Sequence, residues 1–236
     1  MKAVKRVREI ALDTILKVEK KQAFSNLALN ESILRYELNK LDASLLTELV
    51  YGTLQRKMTL DFFLEPFIKG QKKIDLWVRI LLRMSIFQMV YLEKIPDRAV
   101  IHEAVEIAKK RSHKGTSGFI NGVLRAIQRK GLPSFDSISD PIERISIEYS
   151  HPRWIVERWV RQFGLERTEE MCSENLKPTS QTARVNAWKI TPKEALQLLE
   201  KEGFPAELSE HIPIAIKSVE GNIASTNCFK EGYLTI

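Results

Sequence analysis

The chain has 236 residues, is 44% hydrophobic and 28% charged, and carries a net charge of +7. Those proportions suit a folded protein of one large or two ordinary domains and exclude a disordered chain. Two distant cysteines, Cys172 and Cys228, exclude a disulfide framework and a multi-cysteine zinc site. No uncharged apolar run approaches the roughly 18 residues of a membrane span. No apolar signal core follows the basic start Met1-Lys2-Ala3-Val4-Lys5-Arg6-Val7-Arg8, so the expected address is the cytoplasm, without membrane.

The charge is unevenly spread. Residues 1–130 hold 25 Lys/Arg against 14 Asp/Glu, a net of +11, and residues 131–236 hold 12 against 16, a net of −4. A basic half meets nucleic acid, an anionic membrane or an acidic protein. No terminal helix pairs a Lys-rich face with a bulky apolar one, which favours nucleic acid.

In chain order, residues 3–130 read as helix after helix. Asp42 is placed to cap a helix through Leu45, Leu46, Leu49 and Val50. From Trp77 to Leu92 nearly every residue is apolar, broken by Arg79, Arg83, Ser85 and Gln88. A helix apolar on most sides belongs at the centre of a bundle. Ile101, Ala104, Val105 and Ala108, then Ile120, Val123, Leu124 and Ile127, each repeat i, i+3, i+4, i+7. Pro96-Asp97 and Gly115-Thr116-Ser117-Gly118 read as breaks between helices. Eight of the eleven residues Gly131 to Pro141 are Gly, Pro, Ser or Asp, a linker composition.

The second half changes character. Ser150 is expected to cap a helix with Pro152 in its first turn, ending at Gly164. Ile155, Val156, Trp159, Val160 and Phe163 are its expected buried face. Thr182 to Trp188 alternates like a strand. Thr191-Pro192-Lys193-Glu194 is a capping box, and its helix should stop at Gly203. Ile214 to Ile216 and Tyr233 to Ile236 read as further strands. The expected fold is mainly α, a helical bundle followed by a small α+β unit.

Motifs for chemistry are sparse. No Gly-x-Gly occurs, which leaves no glycine-rich loop for a dinucleotide, S-adenosylmethionine or a P-loop. His102-Glu103 opens like a zincin motif, but Glu106 stands where the second His belongs, so His102 reads as solvated helix face. His113, His151 and His211 have no partners at ligand spacing, and no metal is expected. Glu169, Glu170 and Glu174 around Cys172 make it a poor nucleophile, and no base lies beside Cys228.

Basic clusters are the stronger signal. Lys5, Arg6 and Arg8 crowd the first helix; Arg56 and Lys57 end another; Lys72 and Lys73 lie in a loop. Lys109, Lys110, Arg111 and Lys114 gather at a helix end, and Arg125, Arg129 and Lys130 close the last helix of the half. Each cluster is open to two readings, RNA contact or compensation of a helix dipole. Gly115 to Gly118 is either a phosphate-holding helix start or a plain connection.

Four stretches in order resemble the NusB-like helical domain: Glu48-Leu49-Val50-Tyr51-Gly52-Thr53-Leu54-Gln55-Arg56, Ile95-Pro96-Asp97-Arg98-Ala99-Val100, His102-Glu103-Ala104-Val105 and Phe119-Ile120-Asn121-Gly122-Val123-Leu124-Arg125. Tyr149-Ser150-His151-Pro152-Arg153-Trp154, Arg184-Val185-Asn186 and Phe229-Lys230-Glu231-Gly232-Tyr233 resemble the region before the catalytic domain of RsmB (Sun/Fmu) ribosomal RNA cytosine-5 methyltransferases. Where that family has Gly-x-Leu-Arg, this chain has Gln55 with Arg56 one place later.

The resemblance implies a division into a NusB-like RNA-binding domain (1–130), a linker (131–141) and a connector domain (142–236). It implies an N-terminal fragment whose Rossmann-type catalytic domain, S-adenosylmethionine site and attacking cysteine are absent. No catalytic or cofactor-binding residue is therefore expected here. The implied partners are small-subunit ribosomal RNA and the missing catalytic domain. The oligomeric state is open. The fourteen basic residues named above are the expected RNA-binding set. The alternative is a NusB-type antitermination factor that binds RNA and protein.

Overall fold

The structure, a computed structural model, describes residues 6–71, 73–177 and 179–236. Among them, contacts divide the chain after Leu176 into Met1–Leu176 and Lys177–Ile236. The Gly131–Pro141 segment is thus a connection inside the first unit.

The first unit is helical: α1 (Val7–Lys21), α2 (Ser25–Arg35), α3 (Lys40–Gln55), α4 (Lys57–Ile68), α5 (Leu76–Tyr91), α6 (Asp97–Arg111), α7 (Lys114–Lys130), α8 (Pro141–Glu148), α9 (Arg153–Phe163) and α10 (Leu165–Glu174). The helix expected at the centre is there. Every residue of α5 from Ile80 to Gln88 is buried. Its four polar breaks are each satisfied, as burial of polar groups requires. Ser85 and Gln88 donate to the carbonyls of Leu81 and Met84, and Arg79 reaches Asp61. Arg83 is buried between Glu19 (Nη1–Oε1 2.9 Å) and Asp61 (Nη2–Oδ2 2.7 Å).

α3 crosses α5 at Gly52. A Cβ at Gly52 would lie 2.0 Å from Cζ of Phe87, so only a hydrogen fits. Gly52→Ala should therefore destabilise the protein by about 1–3 kcal/mol through overpacking. That outweighs the ~1 kcal/mol Ala gains in helix propensity. Adding Phe87→Leu removes the clash, so the double variant should lose less than the sum of the two singles. Urea midpoints decide it; a Gly52→Ala variant more stable than the parent would refute the contact.

Three local expectations are corrected. Asn39, not Asp42, caps α3, because its Oδ1 accepts from the Asp42 amide at 2.9 Å. Gly115 to Gly118 form the first turns of α7; the break is only Ser112 and His113, both extended. Ser150 does not cap α9. It has φ 57°, and its Oγ accepts instead from the Met58 amide at 2.9 Å. Pro152 takes the cap position and Gly164, with φ 82°, ends the helix. That tie, and the 2.7 Å bond from Thr59 Oγ1 to the Ile147 carbonyl, fasten the end of α8 to α4. Phe135 also anchors the connecting segment, its ring 5.3 Å from Phe62 and 5.4 Å from Phe63. On α9, Val156 is buried and Ile155, Trp159 and Val160 are half-buried, but Phe163 is exposed, being the last residue before the turn.

The second unit is a four-stranded sheet in the order β2-β3-β1-β4, from β1 (Thr182–Val185), β2 (Ala206–Leu208), β3 (Ala215–Ser218) and β4 (Leu234–Thr235). All pairs are antiparallel, with Ala183 opposite Ile216 and Val185 opposite Leu234. Strand β1 stops at Val185 rather than Trp188, because the Asn186 side chain turns the chain by accepting from the Trp188 amide. β2 carries no alternation the sequence reading caught. α11 (Pro192–Lys201) starts with the expected capping box and packs Ala195 and Leu199 on the sheet. α12 (Asn227–Lys230) precedes β4. No helix among the described residues is long and apolar enough to cross a membrane.

Candidate nucleic-acid interface

α6 and α7 reverse across two residues, and the far ends meet where Gln128 donates to Asp97 at 3.3 Å. Their apolar stripes face inward: Val100, Ile101, Ala104, Ile107 and Ala108 against Ile120, Val123, Leu124 and Ile127 are all buried. The sequence period therefore forces the polar stripes outward. Arg98, His102, Glu106 and Lys109 of α6 and Asn121 and Arg125 of α7 line one groove of about 720 Å³, floored by Ala99, Ile101 and Val105.

The groove is cationic because its acids are spoken for. Lys109 Nζ lies 2.7 Å from Glu106 and holds that exposed carboxyl below its ordinary range. Glu103, on the neighbouring face, is matched by Arg6 at 2.6 Å. Arg98 and Arg125 have no carboxylate partner among the described residues. Guanidiniums without a carboxylate, of which Arg125 donates to Gln128 Oε1 at 3.0 Å, present their remaining donors to phosphate oxygens.

A second cleft, of about 320 Å³, borders the start of α7. It gathers Lys73, His113, Gly115 and Thr116. Lys114 is exposed at the same end.

The expected basic residues thus separate into groups. Lys109 and Arg125 line the groove, Arg6 borders it, and Lys73 lines the second cleft. Arg129 and Lys130 are exposed at the end of α7. Five others lie outside both groove and cleft and contact other side chains of the first unit. Arg8 Nε donates to Gln88, and burial lowers its pKa. Arg56 lies 4.2 Å over the Tyr91 ring, whose hydroxyl pKa is raised by burial. Lys57 meets Glu19 at 3.3 Å, Lys110 meets Glu9 at 4.0 Å and Arg111 meets Asp13 at 2.5 Å. Lys5 and Lys72 lie outside the described residues. Sequence reading missed Arg98 and Asn121, and took His102 only as solvated face. The signal was the i, i+4, i+11 spacing of residues 98, 102 and 109.

Neither cysteine is positioned for chemistry. Both are buried. Burial, helped by Glu169, pushes the Cys172 thiol up to about 11, and burial raises Cys228 as well. The described residues contain no group of three or more His, Cys, Asp or Glu able to hold a metal ion. Nor do they fit S-adenosylmethionine. The sheet is antiparallel throughout, so it lacks the parallel crossover whose helix start receives such cofactors.

A helical bundle with a cationic hairpin groove, followed by a small antiparallel α+β unit, is the class that fold and surface define. The chain belongs to the NusB family, which matches residues 5–129. The Methyltr_RsmF/B-like, ferredoxin-like domain matches residues 151–221. The chain is 50% identical to "Probable ribosomal RNA small subunit methyltransferase B" of Bacillus subtilis (strain 168) over 230 residues, 98% of this chain and 52% of that protein. It is 33% identical to transcription antitermination protein NusB of Acetivibrio thermocellus over 134 residues, 55% of this chain and 90% of that protein. The solved structure of PH0851 superposes with a TM-score of 0.70 at 19% identity, covering 99% of this chain and 53% of that one. The chain spans about half the length of the methyltransferase relatives it matches.

Proposed function

We propose that this chain is the RNA-holding part of a cytoplasmic methyltransferase that acts on cytosine C5 of small-subunit ribosomal RNA. The groove between α6 and α7, where Arg98 and Arg125 lack carboxylate partners, carries the RNA reading. The likeness to a ribosomal RNA methyltransferase over nearly the whole chain supports the substrate. In this reading residues 1–130 hold RNA, 131–141 connect, and 142–236, apart from the outer face of α9, face the catalytic domain. Arg6, Lys73, Lys109, Lys114, Arg125, Arg129 and Lys130 remain RNA contacts, joined by Arg98, His102 and Asn121.

S-adenosylmethionine supplies the methyl group in such a reaction. The residues described here contribute position, not chemistry: phosphate contacts fix the RNA so that its target base can leave the stack. The NusB-type antitermination reading rests on the likeness to a NusB protein. The ferredoxin-like match beyond residue 150, which such a protein does not need, favours the methyltransferase reading.

Titration with small-subunit ribosomal RNA at two salt concentrations tests the proposal. Affinity should fall as salt rises, and a salt-independent affinity would sink the RNA reading. With S-adenosylmethionine added, the pure chain should transfer no methyl group; reproducible transfer would place the chemistry inside it.

A further inference from the structure

We infer a second RNA contact on the outer face of α9, where Trp154 stacks on an unpaired base while Arg158 and Arg161 take the flanking phosphates. This rests on the RNA reading above but concerns a different surface. At 100° per residue, positions 154, 158 and 161 fall within a narrow arc, opposite the arc of Ile155, Val156, Trp159 and Val160 that packs inward. Trp154 is 63% exposed, although an indole is among the more costly side chains to leave in water. The helix rise sets Trp154 and Arg161 ~10 Å apart along one side of a rigid element.

The charges around the stripe sharpen the choice of ligand. The other two arginines of α8 and α9 are saturated with carboxylates. Arg144 holds Glu148 and Glu169, both at 2.7 Å. Arg153 holds Asp140 at 2.7 Å and Glu143 and Glu157 at 2.8 Å. Arg158 and Arg161 have no carboxylate partner among the described residues; Arg161 touches only the Glu157 carbonyl, at 3.3 Å. The nearest acid on the helix, Glu157, is turned toward Arg153, which it shares with Asp140 and Glu143. An exposed indole beside two uncompensated guanidiniums fits single-stranded RNA, which offers a base face and anionic backbone together. A duplex keeps its base faces stacked and offers phosphates, 2′-hydroxyls and base edges instead.

The test uses the full chain carrying Trp188→Phe, so that Trp154 is the exposed fluorophore, with oligoadenylate and an RNA duplex as probes. Oligoadenylate should quench the emission, and the duplex should not. Trp154→Leu should weaken oligoadenylate binding about tenfold and leave its salt dependence unchanged. Arg158→Gln with Arg161→Gln should instead make the log–log salt slope shallower by about 1.4. If the parent binds oligoadenylate and Trp154→Leu binds it equally well, the α9 contact is overturned and the groove reading stands. That is also the result expected if a protein surface covers Trp154. If the parent binds no RNA at all, both fall.

Discussion

Arg83→Ala should be among the most damaging substitutions of a polar residue in the first unit, lowering stability by about 3 kcal/mol. Removing one partner of a buried ion pair costs roughly 3–5 kcal/mol, because the charges left behind stay desolvated. The lower figure applies here. Lys57 still reaches Glu19 and Arg79 still reaches Asp61, while Asp61 keeps some access to water. Arg83→Lys should rescue little, since a single ammonium does not reproduce the fork that binds two carboxylates at once. The measurement is the urea midpoint of the first unit, expected to fall by about 1–2 M. An unchanged midpoint would mean that Glu19 and Asp61 swing out to solvent at no cost.

Charge reversal in the groove should have the largest effect on binding. Arg98→Glu, Lys109→Glu and Arg125→Glu together should weaken ribosomal RNA binding at least about a hundredfold at low salt. The log–log salt slope should become shallower by about 2, three contacts at ~0.7 each. Lys57→Gln and Lys110→Gln should have much the smaller effect on affinity, because neither side chain lines the groove. Fluorescence anisotropy across a salt series distinguishes the two sets. Equal losses in both would mean that only bulk charge matters and that the groove has no special role.

That contrast shows where sequence reading stops. Elements governed by neighbours in the chain were legible. The apolar run of α5 announced a central helix, and Thr191 and Glu194 announced the start of α11, because period and cap act over a few residues. The functional surface was not legible in the same way. The basic clusters of the sequence offer fourteen cations of equal standing, and whether one is available depends on acids far along the chain. Arg111 is taken by Asp13 and Lys57 by Glu19. Arg98 escaped notice because it stands alone between Asp97 and Ala99, and only the docking of α7 makes it one wall of a groove. Ser150 failed as a cap for a similar reason: a partner 92 positions away, Met58, claims its hydroxyl.

The packing of Phe135 against Phe62 and Phe63 bears on where the protein can be cut. A piece trimmed at residue 130 would take away Phe135 and the α8 face, baring aromatic rings of α4 and inviting self-association. A piece trimmed after Leu176 keeps those rings covered. The practical border for expression or limited proteolysis therefore lies some 35 residues beyond the Gly- and Pro-rich stretch that looks like the obvious place to cut.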